Sequence, residues 1–173
     1  MNPIQTFVIR RTLIIPMALV VVLTAVLLVV CVVQGQAIGK IIILAGLLLP
    51  LAALFVETAF RRVVIDQEGV TAYRPFRQRR LLFSDVTELE SVRVRSRVFL
   101  TLAAGPDDFL IISNSYQAFP ALLEGLIAAA PEGTVTEETQ QLAKQTPLRH
   151  ADAFTAWFAV VALVYVLIAQ FRG

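Results

Sequence analysis

Three long runs of uncharged, mostly apolar residues divide the sequence and leave one polar stretch in its middle. The runs cover residues 12–33, 41–56 and 153–170. A helix needs about 20 apolar residues to cross a bilayer, within a range of about 17–25. The second run reaches that length once the residues just before it are included. The pattern therefore predicts an integral membrane protein with three transmembrane helices, at about 12–33, 38–58 and 153–171.

The first run could also belong to a cleaved signal peptide. Its apolar core, however, is longer than the roughly 7–15 residues of such segments, and no A-x-A-like site follows it. The stretch Leu28–Cys31 resembles a lipoprotein cleavage box, but Val30 stands where a small residue is expected. We therefore interpret the first run as a membrane anchor.

Basic residues near the ends of the apolar runs predict the orientation of the chain. Arg10 and Arg11 precede the first run, and Arg61 and Arg62 follow the second. The turn between the first two runs carries one lysine, and the C-terminus carries one arginine. We expect the N-terminus and the middle segment to be cytoplasmic and the C-terminus to lie outside.

The middle segment begins with the alternation that is typical of short β-strands. VVIDQEGVTAY predicts two strands around a turn at Gln67–Gly69, and LLFSDV predicts a third strand from Leu81. A cluster of arginines between them is predicted to lie on a loop. Gly105–Asp108 is typical of a hairpin turn, and FLIIS predicts the returning strand.

The stretch SVRVRSRVFL has the strictest alternation in this segment, and we expect one strand over residues 92–102. Successive side chains on a strand point to opposite faces. One face would then pack in the core, and the other would carry three guanidinium groups in a row. The inward set is Val92, Val94, Ser96 and Val98, and the outward set is Arg93, Arg95 and Arg97.

After Asn114 the apolar period changes to that of a helix. Positions i, i+3, i+4, i+7, i+8 and i+11 are apolar, which predicts one amphipathic helix that ends at Pro131 and Gly133. An amphipathic helix of this kind can cover the open end of a strongly bent antiparallel sheet. The apolar positions are Phe119, Leu122, Leu123, Leu126, Ile127 and Ala130.

Two stretches carry a resemblance to a known family. VVIDQEGVTAYRPFRQRRLLFSDVTELESV joins a glycine-containing hairpin to an arginine-rich turn, and QAFPALLEGLIAAAP supplies the terminal helix. Residues 61–131 thereby resemble the pleckstrin-homology-like (PH-like) domains of bacterial membrane-anchored proteins. The resemblance implies a small α+β domain, a PH-like β-barrel or sandwich capped by a C-terminal helix, on the cytoplasmic face of a bacterial inner membrane.

This organisation gives four segments: an N-terminal transmembrane hairpin (1–60), the PH-like domain (61–131), a polar linker (132–152) and the third transmembrane helix (153–171). Within the linker, Thr134 and Glu137 have the spacing of a capping box for a short helix through Lys144. A flexible connection back to the membrane is the alternative.

We find no group of residues in the sequence that is typical of an enzyme active site. The chain has one histidine, His150, and one cysteine, Cys31, so no ligand spacing points to a metal. Neither a phosphate-binding glycine loop nor a nucleophile motif is present. His150 precedes an apolar run and is interpreted as an interfacial residue. The sequence predicts no catalytic residues, no metal and no cofactor.

Charge adds one local feature to a chain that is 57% hydrophobic and 16% charged, with a net charge of +2. Residues 61–97 hold nine arginines against five carboxylates. Arginine offers a planar fork suited to phosphate and carboxylate groups. We expect anionic-lipid contact at Arg74, Arg77, Arg79 and Arg80, and contact with a protein partner at Arg93, Arg95 and Arg97; a solvated basic face is the alternative for both sets.

By elimination and architecture, the sequence predicts a non-catalytic scaffold, accessory or assembly subunit of a larger membrane complex. It would act through its cytoplasmic domain on a protein partner or a second copy, and no nucleic-acid partner is expected. The alternative function is an anionic-lipid-binding module at the membrane surface. A transporter or channel is disfavoured, because the apolar runs contain almost no polar residues to line a path.

Overall fold

A computed structural model describes residues 4–95, 97–105, 107–144 and 151–172. Its contacts divide the chain into two compact units. We call Arg11–Ala59 with His150–Gly173 the helical unit, and Met1–Arg10 with Phe60–Arg149 the sheet unit. The predicted domain of residues 61–131 therefore leaves out an N-terminal segment that belongs to the sheet unit.

The helical unit contains the three predicted long helices: α1 (Arg11–Val33), α2 (Ile38–Ala59) and α5 (Ala151–Arg172). All three are long and apolar enough to cross a membrane. Helix α1 packs against both of the others. Its buried Thr24 donates a 2.7 Å hydrogen bond to the carbonyl of Val20, so this hydroxyl is satisfied within its own helix.

The first sheet of the sheet unit has four antiparallel strands in the order β1–β2–β3–β4. Strand β1 comes from the N-terminal segment, where no strand was predicted, and pairs with β2 from Val8 opposite Arg62 to Gln5 opposite Ile65. The bounds are β1 (Gln5–Val8), β2 (Arg62–Ile65), β3 (Gly69–Arg74) and β4 (Arg77–Leu82).

Two local features at the turn from β2 to β3 favour the observed pairing of the strands. One carboxylate oxygen of Asp66 accepts hydrogen bonds from the backbone N–H groups of Glu68 (2.9 Å) and Gly69 (2.8 Å), as Asp does in local turns. A methyl group at Gly69 would collide with the carbonyl oxygen of Leu81. Glycine at this position therefore permits the close approach of β3 and β4.

The second sheet has three antiparallel strands: β5 (Glu88–Val94), β6 (Arg97–Ala103) and β7 (Phe109–Ser113). A 3₁₀ turn at Phe83–Asp85 precedes it, so the predicted third strand LLFSDV is wrong beyond Leu82. Within the described residues the two sheets are separate, and they do not close into the barrel that was one of the two expected forms.

Helix α3 (Phe119–Ala129) confirms the predicted amphipathic helix. Four of the six predicted apolar positions are buried in the core of the sheet unit, whereas Ile127 is only partly buried and Ala130 lies just beyond the helix end. The other core residues are the inward-facing side chains of both sheets, such as Val63, Val70, Leu89 and Leu100. The buried face of α3 consists of Phe119, Leu122, Leu123 and Leu126.

The segment after α3 is partly structured. Helix α4 (Glu137–Lys144) was one of the two alternatives for residues 132–152, of which 145–150 lie outside the described residues. Before it, the chain runs along β5: the N–H of Leu89 donates to the carbonyl of Thr134 (2.8 Å), and the N–H of Thr136 donates to the carbonyl of Leu89 (3.2 Å). Leu142 is buried, so α4 is part of the sheet unit.

The structure corrects the prediction for SVRVRSRVFL. Strand β5 ends at Val94, and Arg95 lies in a turn with a φ of 55°. Strand β6 then begins at Arg97, which is opposite Val94. The stretch is therefore a hairpin and not one strand, because the alternation of arginine and valine continues through the turn and hides it. Ser96 lies outside the described residues.

The same turn reverses part of the predicted burial. Val98 is buried as expected, whereas Val92 and Val94 are 43% and 54% exposed. On β5 the buried positions are Leu89 and Ser91. The faces of β5 are thus opposite to the prediction, because core packing of the leucine fixes the register and the valines follow it.

Candidate functional site

A cleft of about 480 Å³ opens between β3 and β4 of the first sheet and β7 of the second. Along the inner face of β3 and β4 the side chains change from apolar to basic towards the hairpin. Val70 and Leu81 are paired and buried, Ala72 faces Arg79, and the last pair is Arg74 with Arg77. The cleft is lined by Ala72, Arg74, Arg77, Gln78, Arg79, Phe109, Leu110 and Ile111.

Arg79 joins the two walls of this cleft. Its guanidinium donates a 2.9 Å hydrogen bond to the carbonyl oxygen of Phe109 and lies 3.4 Å from a carboxylate oxygen of Asp108. It also lies over the ring of Phe109, 5.7 Å from the centroid, within cation–π range. Arg79 is thus held by β7, and its charge is offset by one carboxylate.

Arg80 belongs to the opposite face of β4. It is 3.3 Å from Asp66 and 3.1 Å from Glu68, both at the β2–β3 turn. The four arginines predicted to contact lipid therefore do not form one cluster: Arg74, Arg77 and Arg79 line the cleft, and Arg80 does not. Arg77, Arg79 and Arg80 also lie on a strand, where a loop was predicted.

The register of the first sheet gathers further arginines at the same end as the β3–β4 hairpin. Val8 is opposite Arg62, and Arg62 is opposite Tyr73, so the sheet end from which β1 leaves and β2 enters also carries that hairpin. The guanidinium of Arg62 lies over the ring of Tyr73, 4.6 Å from the centroid. We call the following set the basic end: Arg10, Arg61, Arg62, Arg74 and Arg77.

Tyr116 lies at the basic end, and the positive charges there affect the pKa of its phenol. Nε of Arg10 donates a 3.1 Å hydrogen bond to the carbonyl of Tyr116. Burial raises the pKa of the Tyr116 phenol, and the charges of Arg61 and Arg74 lower it in part. Burial also lowers the pKa of Arg10. The effect on Tyr116 places the positive charges of Arg61 and Arg74 near its buried side chain.

The tip of the β3–β4 hairpin is the feature that the sequence interpretation missed. Phe76 follows Pro75 in a two-residue turn, and it is 97% exposed, with Arg74 and Arg77 paired on either side. The signal was available in RPFR, because proline and phenylalanine at the centre of a short hairpin have no core to enter.

The three arginines predicted to contact a protein partner occupy the β5–β6 hairpin. Arg93 is opposite the buried Val98 and donates a 3.2 Å hydrogen bond to the carbonyl of Arg95. Arg95 is in the turn, and Arg97 shares the outer face with Val94. They surround the hairpin and do not form a row on one face.

The residues that line the cleft are suited to the recognition of an anion. Among the described residues no group of His, Cys, Asp and Glu is arranged to hold a metal ion. His150, the one histidine, lies outside the described residues, and Cys31 is buried in α1. Guanidinium groups converging on a partly apolar cleft suit a phosphate or carboxylate ligand.

Comparison with protein families, with curated proteins and with solved structures finds no match for this chain.

Proposed function

We propose that this protein is a non-catalytic, membrane-anchored module whose basic end binds the anionic surface of the membrane that holds it. Helices α1, α2 and α5 would span a bacterial inner membrane, with the sheet unit in the cytoplasm. The observation that carries the proposal is the exposed Phe76 between Arg74 and Arg77, at the sheet end that also carries Arg62.

Chain connectivity supports contact at this end. Two residues, Ile9 and Arg10, connect β1 to α1, and two more, Phe60 and Arg61, connect α2 to β2. Each basic residue near an anionic leaflet contributes about 1 kcal/mol, and an aromatic side chain is favoured in the interfacial region.

The distribution of charge along the first sheet indicates which of its ends an anionic surface would attract. The end of the sheet opposite the basic end carries Asp66 and Glu68 at the β2–β3 turn, where Arg80 forms ion pairs with both carboxylates. A sheet with this polarity is attracted to an anionic surface by one end and repelled by the other.

The orientation predicted from flanking charge has independent support. Strand β1 precedes α1, strand β2 follows α2, and the two are paired. Because paired strands must lie on one side of a bilayer, an even number of crossings must separate them. This supports a cytoplasmic N-terminus and sheet unit under the positive-inside rule.

The PH-like character of the sheet unit is also a proposal. It is supported by antiparallel strands that end in the buried amphipathic helix α3, which is the order that the resemblance implies.

Hydrogen exchange on the full chain in lipid nanodiscs tests the function. We expect the amides of the β3–β4 hairpin to exchange more slowly when anionic lipid replaces part of the phosphatidylcholine. Arg77→Gln should reduce this protection about fivefold, the equivalent of about 1 kcal/mol for one basic residue at the surface. Arg80→Gln removes the same charge from the same strand and is the matched control.

Two results would overturn the proposal. Exchange at the hairpin that does not respond to lipid composition would exclude contact with the surface. An equal effect of Arg77→Gln and Arg80→Gln would show a response to net charge alone, without a defined end of the sheet. If an acidic peptide, but not anionic lipid, protects the hairpin, the ligand is a protein.

A scaffold or assembly role is the second candidate. It is favoured by a separate observation, the exposed apolar outer face of the second sheet, where Val92, Val94 and Ile111 are each more than 40% exposed. This face is distinct in sequence from the basic end and suits contact with a protein.

A further inference from the structure

The outer face of the second sheet combines an apolar centre with charged ends. Cross-strand partners form successive rows: Val94 with Arg97, then Val92 with Phe99, then Glu90 with Thr101. Ile111 continues the third row on β7. Val92, Val94 and Ile111 are 43%, 54% and 47% exposed. Contiguous exposed apolar side chains with a polar border are typical of a protein interface.

The charges at the two ends of this face have opposite sign. At one end, Arg97 lies on this face and Arg95 lies in the adjoining β5–β6 turn. Glu90 and Glu88 occupy the outer face of β5 towards the other end. Along the strands the face therefore reads basic, apolar, acidic.

We propose that this face binds the same face of a second copy of the chain, in a two-fold symmetric dimer. A two-fold interface places one patch against its own copy, so the patch must be self-complementary. An axis through the row of Val92 and Phe99 achieves this. It sets Phe99 against Phe99 of the second copy and brings Glu90 close to the second copy's Arg97, twice.

The order of charges selects a second copy over an unrelated partner. A uniformly acidic partner would be attracted to the arginines but repelled by Glu88 and Glu90, and a basic partner would meet the reverse. A second copy turned end to end places the basic part of its face against the acidic part of the first copy's face, and the reverse. Its valines and phenylalanine then cover the apolar centre. The proposal does not rest on lipid binding, which uses the other sheet.

Charge exchange between two variants tests the pairing. We expect Glu90→Arg and Arg97→Glu each to weaken self-association of the full chain in detergent about tenfold or more, because each places like charges together at two positions. Mixed in equal amounts, the two variants should form a heterodimer of near wild-type affinity, since one contact then has its wild-type charges and the other has the same charges exchanged. Mass measurement of differently tagged chains would detect it.

Recovery only on mixing identifies a contact between chains, which damage to either fold would not produce. If the mixture stays as dissociated as each variant alone, the proposed pairing is wrong. A wild-type chain that is monomeric at every concentration tested would also overturn it.

Cysteine cross-linking tests the position of the axis. In a Cys31→Ser background, Phe99→Cys should form a disulfide-linked dimer under mild oxidation, because the axis places the two thiols together. Gln78→Cys, exposed on β4 of the other sheet, is the control and should remain monomeric. Equal cross-linking at both positions, or cross-linking at Gln78→Cys alone, would contradict the proposed face.

Discussion

The guanidinium of Arg79 on β4 donates a 2.9 Å hydrogen bond to the main-chain carbonyl of Phe109 on β7 and so connects the two sheets. β4 and β7 are edge strands of their sheets, and in the described part of the chain each has one side without a strand partner. Edge strands need some means of protection. Here one long side chain spans the corner between them and closes one side of the basic cleft.

Arg79→Gln should loosen this corner without unfolding the sheet unit. The side chain is half exposed, so the ion pair with Asp108 is screened and contributes little. The lost hydrogen bond and ring contact should lower the local opening free energy of β7 by about 1 kcal/mol. Hydrogen exchange of β7 in detergent measures it.

Arg77→Gln, two residues away on the same face, is the matched control for this change. It removes the same charge, and among the described residues no hydrogen bond or ion pair joins Arg77 to β7. If Arg77→Gln and Arg79→Gln accelerate exchange of β7 equally, then Arg79 does not join the sheets as described.

Two glycine-to-alanine changes in the sheet unit should have opposite effects. At Gly69 the added methyl group meets the main chain of Leu81, which cannot move without breaking the β3–β4 pairing, so we expect a loss of about 3 kcal/mol or more. At Gly125 in α3 it would approach the end of the Gln5 side chain at 3.3 Å, which can move.

Gly125→Ala should therefore be neutral or stabilising by up to about 1 kcal/mol, because alanine favours a helix. Thermal unfolding followed by circular dichroism compares the two variants. A Gly69→Ala protein as stable as the wild type would show that β3 and β4 do not approach as closely as described.

Tyr116 should make the sheet unit sensitive to alkaline pH. Burial raises the pKa of its phenol above 10.0 in the folded chain, so the folded state holds the proton more tightly than the unfolded state. The resulting stability is complete below pH 10 and is lost as the pH rises through the folded-state pKa. Tyr116→Phe should remove this part of the decline.

The arginines at the basic end allow a further check of this assignment. Because the charge of Arg74 lowers the pKa of Tyr116, Arg74→Gln should move the phenol titration to higher pH. Ultraviolet titration with the Tyr116→Phe variant as the blank measures the shift. A titration that does not move would show that Arg74 does not lie near this ring.

The sequence predicted those elements that follow from a single hydrophobic pattern. The apolar runs predicted α1, α2 and α5 to within a few residues, and the apolar positions of α3 were read correctly from Phe119. The first three follow from the length of uninterrupted apolar runs, and α3 follows from its helical period. Both signals can be read without knowledge of the segments that these helices contact.

The predictions were wrong or incomplete where pairing between distant segments of the chain determines the structure. Strand β1 gains its structure from pairing with β2, more than 50 residues later, and four residues carry no such signal. The β5–β6 turn was hidden because valine and arginine alternate on both sides of Arg95. The basic end was not foreseen, since only the register brings Arg62 beside Tyr73 and the hairpin.

The most direct test of the central claim is fluorescence quenching at the hairpin tip by brominated anionic lipid. The chain has one tryptophan, so Trp157→Phe provides a dark background in which Phe76→Trp reports the tip. Gln67→Trp, at the acidic end of the same sheet, is the control. Full-length chains in vesicles containing the brominated lipid provide the measurement.

We expect strong quenching at position 76 and weak quenching at position 67. Quenching at position 76 should fall when Arg74 and Arg77 are both changed to glutamine, and when salt is raised from 0.1 M to 1 M, which shortens the screening length from about 10 Å to about 3 Å. Equal quenching at the two positions, unaffected by salt, would contradict the claim that the basic end binds the membrane surface.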